Sequence, residues 1–371
     1  MQIAILGAGM VGRAMALDLV KQHNVTSFDI SDTNLQFLNN SNSKMQTVQT
    51  DLTNYENYSA LLKPFDYVIS AVPGFMGYKT LEAIIKCGKN VVDISFFPED
   101  ALQLDSLAKE KNVTAITDCG VAPGMSNLIA GYYNELLTIK SFECFVGGLP
   151  KQRVKPFEYK APFSPADVLE EYTRPARYVE NGAIVVKPAL SDAELIDFEK
   201  AGTLEAFNTD GLRSLIHTLP HIPDMKEKTL RYPGHIDFMK ALFKAGFFNR
   251  EEMNYKGQMI SPLQFSTAIL FEQWKLQPNE EEFTLMQINI KAKEKNIQAF
   301  LYDEFDKASQ TSSMSRTTGY TCTAALNMLI ENLFMEKGVF PPELVGKHRK
   351  CYNYILHYLK DRDVHYRFTE N

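Results

Sequence analysis

Short uncharged apolar runs recur along the first third of the chain, each followed by a polar segment with helical spacing. Ile3-Ala4-Ile5-Leu6 predicts a strand, residues 13–22 an amphipathic helix, and residues 25–28 a second strand ending in Asp29. Residues 45–49, 66–72, 91–94 and 113–117 predict further strands, and residues 77–87 and 99–111 carry helical spacing between them. Such alternation implies a parallel sheet with right-handed crossovers, whose ligands sit at the carboxyl ends of the strands. Pro123-Gly124 then opens an apolar helix, residues 125–137, and the pattern changes. Strands are predicted at 142–148, 183–186, 283–290 and 300–305, and helices at 192–199, 236–245 and 262–276. A long apolar helix runs from about residue 320 to 335 and ends before Pro341-Pro342, which cannot continue it.

The turn after the first strand reads Gly7-Ala8-Gly9-Met10-Val11-Gly12. Gly7 suits a tight turn, Gly9 lets backbone approach a pyrophosphate, and Gly12 lets the helix pack on the strand. The phosphates would rest on the free N–H groups of the helix start. The motif follows a strand, opens a helix and has an acid some twenty residues on, which is its full required context. The expected class is therefore α/β, a Rossmann-type parallel sheet domain plus a second α+β domain with an open mixed sheet. Residues 1–124 are assigned to the first domain and 125–315 to a substrate-binding and oligomerisation domain. Asp29 suits the ribose hydroxyls and repels a 2′-phosphate, so NAD is expected over NADP; its alternative role is capping the following turn. Asp51, Leu52, Ala71, Val72, Pro73 and Asp93, at the strand ends, complete the expected cofactor contacts.

Composition narrows the functions. A net charge of −6 without a long basic run argues against nucleic acid or an anionic membrane as partner. No uninterrupted apolar segment reaches the ~18 residues of a membrane span. The chain runs directly into a core strand, so no signal peptide is expected. Five scattered cysteines without C-x-x-C pairs suit a reducing cytoplasm, and seven histidines show no metal-ligand spacing.

Candidate chemistry gathers after the sixth strand and in the second domain. Asp118 is a candidate for a substrate amine or for a helix cap, and Gly120 lets the chain pass close to a nicotinamide. Arg213 and Arg231 are candidate forks for a carboxylate, with Arg174 a further basic candidate and ion pairing the competing role. His235 caps a helix, binds substrate or moves a proton. Arg316 binds an anion or fixes the domain interface. Cys119 reads as small packing, since no partnered His is identifiable.

GAGMVGRAMALDL, ISAVPGFMG, VVDISFFPED, DCGVAPGMSN, VGGLP, EEYTRPAR, FNTDGLRSL, LRYPGH and SSMSRTTG with GVFPPELVG run nearly end to end along the chain. With these stretches it resembles the saccharopine dehydrogenase superfamily, and within it the NAD-dependent lysine 6-dehydrogenase branch. Saccharopine-forming reductases carry an Asp before the Pro-Gly of the 120–124 segment, where this chain has Ala122. The resemblance implies oxidative deamination of L-lysine at the ε-carbon, giving 2-aminoadipate 6-semialdehyde, which closes to Δ1-piperideine-6-carboxylate, and ammonia. Asp118 and His235 would then handle protons, Arg213 and Arg231 the α-carboxylate, and Phe75 and Phe96 the walls of the nicotinamide pocket. The resemblance also implies a first domain completed by residues 316–371, and a homodimer or higher oligomer joined through the second domain's open sheet. The competing readings are a reductase condensing an amine with an aldehyde, of saccharopine or carboxynorspermidine type, and a non-catalytic NAD-binding sensor.

Overall fold

The computed structural model describes residues 1–277 and 280–371. Six strands open the chain: β1 (Gln2–Leu6), β2 (Asn24–Asp29), β3 (Gln46–Gln49), β4 (Tyr67–Ser70), β5 (Asn90–Asp93) and β6 (Thr114–Ile116). They pair in parallel in the order β6-β5-β4-β1-β2-β3. Ile3 to Leu6, Val68, Ile69, Val91 and Val92 are fully buried, as a sheet covered on both faces requires. The helices Met10–Leu19 and Gly74–Lys86 start at the carboxyl ends of β1 and β4, which aims both N-termini at one edge of the sheet.

The second body holds β7 (Ile139–Pro150), β8 (Ala176–Glu180), β9 (Ala183–Lys187), β10 (Glu194–Phe198), β11 (Gly202–Asn208) and β12 (Asp224–Arg231). After a small hairpin, β13 (Met253–Tyr255) and β14 (Gln258–Ile260), it continues with β15 (Glu282–Ala292) and β16 (Asn296–Glu304). β7 and β12 pair in parallel while their other neighbours are antiparallel, so the sheet is mixed. Residues 192–199, expected to be helical, instead hold the strand β10. It borders the sheet against β11, and its charges (Glu194, Asp197) suit an exposed edge, although their spacing also reads as an amphipathic helix.

The chain then returns. The helix Ser313–Ile330 packs along Met10–Leu19, and β17 (Gly338–Phe340) joins the first sheet beside β6. The last strand, β18 (Tyr366–Glu370), does not follow them: it pairs with β16 in the second sheet. The assignment of all residues after 316 to the first domain is corrected there, because β16 offers β18 a free edge. Arg316 fixes this crossing, with Nε and Nη2 on Asp303 (3.2 and 3.3 Å), Nη1 on Asp306 (3.3 Å) and Nη2 on the carbonyls of Arg362 and Asp363.

Asp18 ties the returning segment to the first helix. Its carboxylate accepts from Thr323 Oγ1, Tyr358 Oη and Arg362 Nε, all within 2.9 Å, and its side chain is 1 % exposed. Removing one member of a buried pair leaves a charge uncompensated. Asp18→Ala is expected to lower unfolding stability by about 3–5 kcal/mol in urea melts. An unchanged midpoint would show that the contact contributes nothing.

Candidate functional site

A cleft of about 1350 Å³ runs from the glycine turn into the face of the second sheet. Gly7, Gly9, Met10, Val11, Gly12, Asp29, Asp51, Leu52, Ala71, Val72 and Pro73 line its first half. The turn is tight enough to demand glycine: Gly7 sits at φ +108°, and a Cβ there would stand 2.4 Å from the Ala71 carbonyl oxygen. A Cβ at Gly12 would stand 2.1 Å from the Gly7 carbonyl oxygen, whereas Gly9 faces no protein atom within 4 Å. No side chain caps the helix at Gly9, so its first N–H groups are free for an anion. These features fit a dinucleotide.

Asp29 does two jobs. Its Oδ2 accepts from Ala8 N and its Oδ1 from Ser31 N, both at 2.7 Å, which locks the turn to the end of β2. Oδ2 also accepts from Asn34 Nδ2 at 3.5 Å, so Oδ1 is the oxygen that keeps a lone pair for a ribose hydroxyl. Arg13 is the basic side chain lining this end of the cleft, and it lies over the Phe37 ring at 4.4 Å. Burial lowers its pKa from the ordinary arginine value, while nearby Asp29 raises it. Asp51 spends one oxygen on Thr53 N and Oγ1.

Asp93 does not line the cleft. It is fully buried, and its oxygens accept from Ser95 N (3.1 Å) and Ser95 Oγ (2.8 Å). Burial pushes its carboxyl up to about 7. Its expected cofactor contact is replaced by a structural one, bracing the loop that carries Phe96.

The polar residues of the second half pair off. Asp118 lines the cleft, but both its oxygens take Arg213, from Nε and Nη2 at 3.1 Å each. Both partners are buried and both hold positive φ, +51° and +54°. Arg213 is therefore a partner for Asp118 rather than a free carboxylate fork. Arg231 is committed too, through four of its five N–H groups: Nε bonds Tyr172 Oη (2.9 Å), Nη1 the Leu230 carbonyl (2.9 Å), and Nη2 both Glu171 (2.6 Å) and Tyr159 Oη (3.3 Å). Its expected carboxylate contact is corrected for the same reason.

His235 stands outside the cleft lining. It opens the helix His235–Lys244, 4 % exposed, with Nδ1 on the Phe157 carbonyl (2.9 Å) and Nε2 on Tyr172 Oη (3.0 Å). Burial first, then the charge of Arg231, pull its pKa down to about 3. A neutral ring that gives its Nδ1 proton to the Phe157 carbonyl, and whose Nε2 is too weak a base to take another, does not shuttle protons, so its catalytic candidacy is corrected to a structural role.

Arg174 is different. It lines the cleft and lies over the Phe96 ring at 4.9 Å, with Nη2 on Glu170 at 3.3 Å. Its Nη1 is buried without a partner among the described residues. Arg213 lies over the same Phe96 ring, also at 4.9 Å, so Phe96 is a wall between two guanidinium groups. Phe75 stands at the rim, 78 % exposed, and Gly120 lines the passage between the halves.

The sequence reading missed Glu227 and Asp167. Glu227, Thr229 and Arg231 alternate along β12 and all line the cleft, a two-residue period that was visible in the sequence. Asp167 accepts from Gly74 N at 3.3 Å across the two bodies, a contact with no local signal.

Among the described residues no helix is long and apolar enough to cross a membrane. A sequence model of the saccharopine dehydrogenase NADP binding domain matches residues 3–116, and one of the saccharopine dehydrogenase C-terminal domain matches 120–364. The chain is 22% identical to carboxyaminopropylagmatine dehydrogenase of Synechocystis sp. over 373 residues, 92% of each chain. It is 27% identical to saccharopine dehydrogenase [NADP(+), L-glutamate-forming] of Pyricularia oryzae over 225 residues, 57% of this chain and 50% of that one. Its match to alpha-aminoadipic semialdehyde synthase of Arabidopsis thaliana spans 21% of that protein. The fold matches apo saccharopine dehydrogenase (L-Glu forming) from Saccharomyces cerevisiae, with a TM-score of 0.80 at 20% identity, over 100% of this chain and 99% of that one.

The state of His235 predicts a pH dependence of stability. Its folded pKa is depressed to about 3, against about 6.5 for an unperturbed histidine. The folded protein binds fewer protons than the unfolded chain, so this contribution is complete above about pH 6.5 and fades as pH falls toward 3. Between about pH 6.5 and 5 the loss is ~2 kcal/mol. His235→Gln is expected to flatten that part of the Tm–pH curve relative to wild type; parallel curves would show that the ring is not buried neutral.

Proposed function

The chain belongs to the saccharopine dehydrogenase family, and within it we propose that this protein oxidises L-lysine at the ε-carbon with NAD, releasing ammonia and 2-aminoadipate 6-semialdehyde. The observation that carries this reading is the unpartnered Nη1 of Arg174, buried in a chamber continuous with the glycine turn. A buried guanidinium donor without an acceptor calls for an anion, and an amino acid's carboxylate fits its fork. Met10 to Gly12 offer N–H groups to the pyrophosphate, and Asp29 its Oδ1 lone pair to the adenosine ribose. A nicotinamide nucleotide held there supplies the hydride acceptor for the carbon that bears the amine. Ala122 adds no charge to the turn at Gly120–Gly124, which favours a substrate without a second carboxylate there. Phe96 shields the chamber, and a drier chamber strengthens every polar contact within it.

Lysine's ε-ammonium must lose a proton before its carbon yields hydride, and its ordinary pKa is about 10.4. Formation of reduced nucleotide from NAD and L-lysine is therefore expected to speed up from about pH 7 to pH 10. NADP is expected to support it poorly, because Asp29 repels a 2′-phosphate. A flat profile with chemistry limiting, or equal use of NADP, would overturn the respective part. The full-length similarity to the Synechocystis enzyme favours a second reading, reductive condensation of an amine with an aldehyde. Consumption of reduced nucleotide by an aldehyde plus an amine, with no reaction on lysine alone, would establish it instead.

Arg174→Met is expected to raise KM for lysine roughly 10- to 100-fold, the worth of a charged hydrogen bond, with kcat changing less. An unchanged KM would remove Arg174 from the carboxylate subsite. On the same reading, exposed Ile184, Val186 and Leu195 on β9 and β10 form the contact between two copies. Sedimentation is expected to show a dimer, and a monomer would refute that contact.

A further inference from the structure

The cleft holds one buried carboxylate too many. Asp118 has Arg213, and Glu171 has Arg231. Asp210 has Arg177, with Nε on Oδ1 and Nη2 on Oδ2 at 2.8 Å each. Glu227, 3 % exposed, has no cation of its own, and its Oε2 has no hydrogen-bond partner among the described residues. As a carboxylate, Oε2 is an acceptor without a donor; as an acid, it is a donor without an acceptor. Either state carries a desolvation penalty that a ligand would relieve.

The surroundings hold Glu227 in this position. β12 is paired on both sides, by β7 and β11, so its backbone is fixed. Tyr178 Oη bonds the Glu227 carbonyl at 2.5 Å. Gly211 leaves the space the carboxylate fills: a Cβ there would stand 1.7 Å from Oε1 and 2.1 Å from Cδ. The titratable groups that act on it are Glu171 from the helix Pro165–Thr173, Asp210 and Arg213 from the loop after β11, and Asp118 from the turn after β6. Tyr178 on β8 and Cys144 on β7 also feel its charge. Each of these neighbouring acids has its own arginine, so the charge left unmatched in the set is that of Glu227 itself, and a cationic group would match it.

We infer that Glu227 receives the ammonium on the substrate's reacting carbon and takes its proton before that carbon is oxidised, an inference that rests on the amine-oxidising reading above. The N–H bond breaks, its electron pair stays on nitrogen, and the proton joins Oε2 to make a neutral carboxyl. The freed lone pair then forms the C=N bond as the C–H pair leaves with its hydrogen, two electrons in all, for the nicotinamide nucleotide. Burial first and then the neighbouring acids push the Glu227 carboxyl up to about 8. That places it between neutrality and the amine's own pKa of about 10.4, where proton transfer needs it.

The test compares wild type with Glu227→Gln, with Glu227→Met as a second variant should the first fail to fold. Binding of L-lysine and of L-norleucine, the same chain without the ε-amine, is measured by calorimetry in the presence of NADH, where no oxidation occurs. Wild type is expected to prefer lysine by roughly tenfold or more, and the variant to keep norleucine affinity while losing that preference. In turnover, kcat/KM for lysine is expected to drop by about 10²- to 10⁴-fold. Its rising limb should move from near pH 8 toward the free amine's value of about 10. A variant that keeps both the preference and the limb near 8 overturns the role of Glu227 while leaving amine oxidation standing. A wild-type protein that does not distinguish lysine from norleucine overturns both.

Discussion

Charge buried in protein must be matched, because the cost of removing it from water is recovered only by a partner with good geometry. That constraint organises the whole second half of the cleft. Arg213, Arg231 and Arg177 are each committed to a carboxylate, and each pair closes a contact between elements distant in the chain. Among the described residues, the buried guanidinium nitrogen and carboxylate oxygen that this matching leaves without a partner are on Arg174 and Glu227. Both line the same cavity. The pair of leftovers is a cationic donor and a carboxylate acceptor, the complements of lysine's carboxylate and of one of its two ammonium groups. Substrate chemistry is therefore read from what the fold does not use, and the arginines that look most like ligands are the ones that hold the walls.

This also explains what was legible in the sequence. The glycine turn and Asp29 were visible because their chemistry is local: a fixed spacing dictates strand, turn, helix and carboxylate, and the structure places all of them around one cleft. Arg213 and Arg231 were visible as residues but not as partners, since Asp118 lies 95 residues from the first and Glu171 60 from the second. Residue type alone cannot say whether a guanidinium ends against a ligand or a carboxylate. His235 failed for a related reason. A histidine after Pro-Gly looks available, yet its ring lies among Tyr159 and Tyr172, where burial removes its charge. Glu227 was within reach of the sequence, through its alternation with Thr229 and Arg231. It was missed because no strand was predicted over residues 224–231, where β12 lies.

The two sides of the cleft are held unequally. On one side the returning chain crosses between the bodies under several charged contacts: Arg316 to Asp303 and Asp306, and Asp18 to Arg362, Thr323 and Tyr358. The helix Ser313–Ile330 contributes to both bodies there, running along Met10–Leu19 while its first turn is anchored beside β16. On the other side, Asp167 reaches Gly74 N through a single bond of 3.3 Å, and burial pushes that carboxyl up to about 6. Exposed Phe75 stands next to it. Hydride transfer demands reacting atoms within about 3–3.5 Å in a fixed orientation. The buried ion pairs of the first side suit that demand, since each fixes an angle as well as a distance. The lone bond at Gly74 fixes neither strongly, so it is a contact between the bodies that yields easily.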